Sequence, residues 1–362
     1  MLPDSAHIQE SDAEMSTRKN SRSGKSPVEP LYSIDDAYET LKHFTDVPFY
    51  QTQQLTEDIS VKYRLAGHIM GAGTVEMHIA EDGITKRILF SGDLGQHNQP
   101  ITKDPDAPPC VDYVLVESTY GDRVHPEYDK EAELAKIIND TYERGGNLII
   151  PAFAVGRTQL LLYYIQKLIH ENKIPQNINV IIDSPLAVKA TQITLTNPQE
   201  FDAEASVIYE NQGKRLFDIP NLRLVESSAE SKLLNAIETP SIILSASGMA
   251  EAGRILHHLK HNLWRPECSV MFAGFQAQGS MGRLLRDGAK MVKIMGERIS
   301  VKAKIYNLEG FSAHEDGKHI LEWLNESECK PKAIFVVHGE SNVADYFAKE
   351  ISKNMGVATY VP

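Results

Sequence analysis

The chain has 362 residues, more than one ordinary hydrophobic core accommodates, so two domains are the starting expectation. Hydrophobic residues at 42% and charged residues at 24% are ordinary for a globular protein. No apolar run is long enough to span a bilayer, and the N-terminus lacks the basic-then-apolar pattern of a secretory signal. The formal net charge of −12 argues against non-specific nucleic-acid binding through the global field, so any such contact has to come from a local groove. Cys110, Cys268 and Cys329 are scattered and odd in number. They predict neither a disulfide framework nor a C-x-x-C zinc pattern, which fits a reducing cytoplasm.

In chain order, residues 16–25 are rich in Ser, Arg and Lys without apolar periodicity, and predict an exposed loop rather than a nucleic-acid contact. Ser33 is placed to cap a helix, with Asp36 at its third position. Residues 57–121 are strand-rich. Residues 59–64 and 75–79 alternate, and Glu81-Asp82-Gly83 reads as a hairpin turn. One grammar recurs here: a hydrophobic strand, then an acid or histidine, then glycine or serine. It delivers His68, Asp93 and Glu117 to strand ends, and near the C-terminus Val337 leads to His338, with Gly339 expected to let the backbone turn.

Residues 122–311 change rhythm, with strands near 148–150, 180–182, 241–244 and 269–272 each leading into a helix. That alternation predicts an open, mostly parallel sheet inserted into the strand-rich domain. Ser245, Ser247 and Gly248 sit at one strand-to-helix junction, and Gly156 and Arg157 at another. Such junctions either present amide groups to a phosphate or use serine to cap the helix, and the spacing does not choose between them. His257, His258 and His261 predict a solvated helix face. His314 has a plain alternative as a helix N-terminal residue with Glu315 and Asp316 as first-turn acids. His78, His97, His125 and His319 receive no role.

Taken together, G-H-I-M-G-A-G, F-S-G-D-L-G, V-E-S-T-Y-G-D-R, S-A-S-G-M-A-E-A-G-R, F-S-A-H-E-D and V-V-H-G-E, in that order, resemble the β-CASP branch of the metallo-β-lactamase superfamily, its RNA- and DNA-processing nucleases. Within it the nearest subgroup resembles the bacterial and archaeal relatives of the cleavage-and-polyadenylation endonuclease. The resemblance implies an α/β fold: a metallo-β-lactamase-like αββα domain over residues 1–121 and 312–362, and an inserted β-CASP-like domain over 122–311. It implies His68 as a ligand of one zinc, Asp93 as a carboxylate bridging two zincs, and His338 as a ligand of the second. It implies His314 as general acid, with Glu117 supporting that ring, and single-stranded RNA in the cleft between domains. Ser245, Ser247, Gly248 and Arg157 are candidates for its phosphates.

One family motif is absent. No H-x-H-x-D-H appears, so the resemblance further implies an N-terminally truncated outer domain with about three ligands for a centre that needs about twice as many. The expectations that follow are weak or partial zinc occupancy, impaired RNA cleavage, poor solubility from uncovered sheet edges and faces, and no membrane association. A homodimer stays open. So do two rival readings, a non-catalytic paralogue acting as a binding or assembly partner, and a small-molecule metallo-hydrolase.

Overall fold

The computed structural model describes residues 1–21, 23–126, 128–211, 213 and 215–362. Met1–Pro48 forms one compact unit and Phe49–Pro362 another. In the first, α1 (Leu2–Ser21) and α2 (Ile34–Leu41) pair, with Ala6, Ala13 and Ala37 buried and the Ile34 amide donating to Glu10 Oε1 at 2.9 Å. Ser33 caps α2 in a reciprocal capping box with Asp36, as its spacing predicts. Residues 16–21 are not a loop. No glycine or proline interrupts the chain between Pro3 and Gly24, and Glu, Met, Arg and Lys favour helix, so α1 runs on to Ser21. Arg22, within the predicted loop, lies outside the described residues.

In the second unit β1 (Thr52–Gln54), β2 (Ile59–Leu65), β3 (Gly73–Glu81) and β4 (Ile84–Phe90) form an antiparallel meander. β5 (Tyr113–Val116) then joins β4 in parallel. The chain leaves this sheet through α3 (Lys130–Glu143), β6 (Leu148–Pro151), α4 (Arg157–His170), β7 (Asn179–Asp183), α5 (Pro185–Thr196) and α6 (Ala203–Asn211). It continues through β8 (Leu222–Val225), α7 (Ser228–Leu233), β9 (Ser241–Ser245), α8 (Ile255–Asn262), β10 (Ser269–Phe272) and α9 (Met281–Arg286). A small hairpin, β11 (Met291–Ile294) with β12 (Glu297–Ser300), precedes β13 (Lys304–Asn307). The chain then returns through α10 (Gly317–Asn325), β14 (Ala333–Val336), α11 (Ser341–Met355) and β15 (Ala358–Tyr360).

Two larger sheets result. One has the order β1-β2-β3-β4-β5-β14-β15, and the other, β13-β10-β6-β9-β7-β8, is parallel throughout. β6, β9 and β10 are buried at every position, as strands covered on both faces must be. The seven-stranded sheet is asymmetric. Leu89, Val114 and Ile334 lie in one cross-strand row, at most 3% exposed, under α10 and α11. On its other face a row of Tyr63, Val75, Phe90, Leu115 and Phe335 is only half-buried, and ends at Tyr360, 54% exposed.

The cysteine expectation is corrected. Cys110 and Cys329 are joined as a disulfide with a Cα–Cα distance of 5.1 Å, and Cys268 is free and buried. Tyr113 pairs with Ala333, so the segments entering β5 and β14 arrive side by side. A separation of 219 residues hid that neighbourhood from any reading of spacing. Among the described residues no helix is long and apolar enough to cross a membrane.

Candidate metal centre

Three loops from the ends of distant elements are laced together by main-chain hydrogen bonds. The Gly95 amide donates to Ala66 O at 2.8 Å, Gln96 N to Ala313 O at 3.2 Å, and Glu315 N to Leu94 O at 2.8 Å. The approach requires glycine. A Cβ on Gly95 would run into the Gly67 carbonyl, and one on Gly67, at φ +70°, would lie 2.7 Å from Pro105. A second lacing joins β5 and β14 beyond their ends, where Ser118 N donates to His338 O at 3.2 Å and Ser118 Oγ to Val337 O at 2.9 Å. The positive φ here, 52°, belongs to His338 rather than to Gly339. Gly339 is needed for a different reason: a Cβ there would meet the Ser118 carbonyl oxygen at 2.8 Å.

The lacing carries His68, Asp93, Glu117, His314 and His338 to one place. Asp93 turns Oδ2 toward His68 Nε2, 3.9 Å away, and Oδ1 toward His338 Nε2, 3.3 Å away. The His68 and His314 rings are 4.4 Å apart and the His314 and His338 rings 5.8 Å. His68, Asp93 and His314 also offer donor atoms that lie within 4.8 Å of one another. Burial, helped by the neighbouring His314, pulls the His68 imidazole down to about 4 against the pull of Asp93 and Glu117. His68 is therefore neutral at pH 7, as a metal ligand must be.

Glu117 is 1% exposed. It accepts from the Leu94 amide at 2.6 Å and from His314 Nδ1 at 3.0 Å. Burial works to raise its pKa, but the hydrogen bond and charge of His314 outweigh that and hold it below the usual carboxylate value. For His314 burial works to lower the pKa, and Glu117 outweighs it, so the ring titrates above its ordinary value. The carboxylate fixes the proton on Nδ1 and leaves Nε2 facing the other way.

Residues without a predicted role frame the site. His125 Nε2 lies 3.0 Å from His314 O, and the His125 amide donates to Asp316 at 2.7 Å. Glu315 and Asp316 are not first-turn acids. Asp316 is the N-cap of α10, accepting from His319 N at 3.0 Å, and Glu315 lies before the helix, 4% exposed and bonded to His97. The one legible signal was the density of Glu, Asp and His around the F-S-A-H-E-D run.

Beside His68, Arg157 lines a cavity of about 50 Å³ with Met70, Gln99 and Leu160. It is 8% exposed, and its Nε and Nη1 find no hydrogen-bond partner. Burial pulls its pKa down to about 10, with nearby Tyr120 acting in the opposite direction. Buried N–H donors without a partner are costly, and an anion in the cavity would satisfy them. The serines at the other junction are already engaged. Ser245 Oγ donates to Asp183 O on β7 at 2.9 Å, and Ser247 Oγ accepts from Glu251 N at 3.2 Å within the loop, while α8 starts at Arg254 without a side-chain cap, so neither serine caps the helix.

His258 departs from the predicted solvated face. It is 1% exposed, with Nε2 at 2.7 Å from Asp183, while His257 and His261 do face solvent. Asp183 also accepts from Arg254 at 2.7 Å and Ser231 at 2.6 Å. Burial would raise the Asp183 pKa, but His258, Ser231 and Arg254 together lower it. A depressed carboxylate contributes stability above its unfolded pKa of about 3.9 and loses it as pH falls through the lower folded value. Asp183→Asn is therefore expected to lose about 2 kcal/mol at pH 7, and the gap to wild type should close in acid below about pH 4. Urea titrations at both pH values check this.

A family profile described as Beta-Casp domain covers residues 158–285, and one described as Zn-dependent metallo-hydrolase RNA specificity domain covers 298–362. Ribonuclease TTHA0252 of Thermus thermophilus is 34% identical over 313 residues, spanning 86% of this chain and 70% of that protein. The chain belongs to the β-CASP branch of the metallo-β-lactamase superfamily.

An RNase J-like protein of Methanocaldococcus jannaschii is 30% identical over 336 residues, spanning 91% of this β-CASP chain and 76% of the relative. The transcription termination factor FttA of the same organism is 28% identical over 347 residues, and the match spans 54% of that longer protein. A β-CASP metallo-hydrolase implies a metal cofactor, and the residues present fit one. A neutral imidazole, a carboxylate with one oxygen toward each of two rings, and the buried His68 Nδ1, which has no hydrogen-bond partner, suit a borderline cation such as zinc.

Proposed function

We propose that the intact protein hydrolyses RNA phosphodiester bonds at a centre of two zinc ions, with His68, Asp93 and His338 as ligands. The observation that carries this reading is the single carboxylate of Asp93 set between the rings of His68 and His338. Bound metal would supply an acidified water and neutralise charge on the phosphate. The chain's own residues do the rest. Glu117 holds His314 by Nδ1, so Nε2 is the atom that gives a proton to the leaving oxygen. Arg157 holds a non-bridging phosphate oxygen, with Ser245, Ser247 and Gly248 shaping the neighbouring strand end.

The bounds we propose are 1–121 with 312–362 for the outer domain and 122–311 for the inserted one, with Met1–Pro48 a compact unit of its own that adds no strand to either sheet. Support comes from the two sheets, which draw on residues 52–116 with 333–360 and on residues 148–307 respectively. Single-stranded RNA runs in the cleft between them. The relatives' ribonuclease names and the RNA specificity profile support the substrate. The compartment proposed is the cytoplasm. Thiol counting on protein purified under a thiol block tests it against the Cys110–Cys329 pairing.

With Asp93, His68 and His338 as the ligands, this chain by itself holds zinc weakly and cleaves slowly. Labelled RNA and a small thioester, each incubated with the chain and zinc, test the reading. RNA cleavage that a chelator abolishes supports it. RNA binding without any cleavage favours the non-catalytic partner, and turnover of the thioester alone favours the small-molecule hydrolase. Arg157→Met is expected to weaken RNA binding and to lower the slope of log affinity against log salt by about 0.7, the value of one phosphate contact on a single strand. Anisotropy titrations across a salt series measure it.

A further inference from the structure

The loop that follows β6 carries an aromatic side chain which the metal centre does not use. Phe153 is 47% exposed, although Ala152, Ala154 and Arg157 around it are all buried. Its backbone is fixed, because Phe153 O accepts from Thr158 Oγ1 at 2.8 Å and from Thr158 N at 3.3 Å, at the start of α4. Its ring is fixed as well. A Cβ on Gly248 would lie 2.8 and 2.9 Å from ring atoms Cδ2 and Cε2, so the ring rests directly on the bare backbone of that glycine. Gly248 is held in turn, its carbonyl accepting from Gln276 Nε2 at 3.0 Å.

Through Gly248 these contacts link Phe153 to Gln276, whose neighbour in sequence belongs to a ring series that ends at the metal centre. Phe275, next to Gln276, meets Tyr120 edge-on at 5.9 Å, and Tyr120 meets His314 at 6.4 Å. Four residues beyond Phe153 stands Arg157, whose buried Nε and Nη1 have no hydrogen-bond partner, and Gly156 between them abuts Ile69, the neighbour of His68. An exposed aromatic ring seated on backbone, four residues before a buried guanidinium beside the centre, offers the two elements that hold single strands without reading sequence: a surface for a base and a charge for its phosphate.

We propose that Phe153 is the platform on which one nucleobase of a single-stranded RNA stacks while Arg157 holds a phosphate of the same strand. The proposal rests on the RNA reading above and adds to it a residue that selects unpaired over duplex substrate. A protein partner is the poorer occupant. Among the described residues, Phe153 is the sole exposed large apolar side chain of the 152–158, 245–250 and 274–280 loops, and docking a protein takes a contiguous patch. One isolated ring matches one base.

The test is binding of a fluorescent ten-nucleotide RNA to the full chain in a chelator, so that cleavage does not interfere. Phe153→Ala is expected to bind about tenfold more weakly at an unchanged melting temperature. Phe153→Trp is expected to bind at least as well as wild type, and Phe153→Leu, which keeps apolar bulk without a ring face, as weakly as alanine. Should the alanine variant fail to fold, the leucine and tryptophan pair carries the comparison. In RNAs with one abasic nucleotide moved along the strand, a single position should weaken wild type and leave Phe153→Leu unaffected. Equal affinities for wild type and Phe153→Leu would overturn the stacking role and leave the RNA reading standing. A wild-type chain that binds no RNA would overturn both.

Discussion

Glu117→Ala is expected to cost the fold about 3–5 kcal/mol, the usual consequence of removing one member of a buried charged pair. Two groups lose their partner at once. The Leu94 amide, 2.6 Å from Glu117 Oε1, would be left buried and unsatisfied, and so would His314 Nδ1. Both belong to the laced loops, so the damage would spread from one carboxylate to the convergence itself. Glu117→Gln separates the two effects. Its oxygen can still accept from Leu94 N, but its neutral amide no longer supports a charged His314, so most of the stability should return while the proton-donating role does not. Denaturant melts of the three proteins in chelator measure the first effect. A melt of Glu117→Ala matching wild type would show that the carboxylate holds nothing.

Asp93→Ala is the second large effect, and it runs the other way, with little change in stability and a large loss of metal. Asp93 has a side chain 39% exposed and sits in a loop that main-chain bonds already hold. Its removal should therefore leave the melt nearly unchanged. It takes away the carboxylate that faces both His68 and His338, so zinc affinity should fall by about 100-fold or more. Loss of a supporting outer-shell group alone costs 10–100-fold. Competition with a chromophoric chelator reads the change. Equal zinc affinity in Asp93→Ala and wild type would move the centre elsewhere.

Much of the molecule could be read from the residues because local chemistry and tertiary position agree. The parallel sheet was legible in the short apolar runs ending in Pro151, Asp183, Ser245 and Phe272, each followed by a helix. His68, Asp93, Glu117 and His338 were legible as strand-end polar groups. What escaped depended on neighbours remote in sequence. Cys110 and Cys329 meet only because β5 and β14 pair. His258 is buried only because Asp183, 75 residues away, awaits it. Glu315 faces His97 across 218 residues, so its place outside the helix could not follow from its distance to Gly317. α11 is a different case. Val343, Ala344, Phe347, Ala348 and Ile351 recur at helical spacing, so this helix is written in the residues themselves. The aromatic series from His314 through Tyr120 to Phe275 had no sequence signal, since its members come from three separate loops.

The most direct test of the whole account is anomalous diffraction at the zinc edge from crystals of this chain grown with zinc. The account predicts density within bonding distance of Asp93, shared with His68 on one side or His338 on the other. Zinc bound instead at the exposed His257 and His261, with none at Asp93, would contradict it.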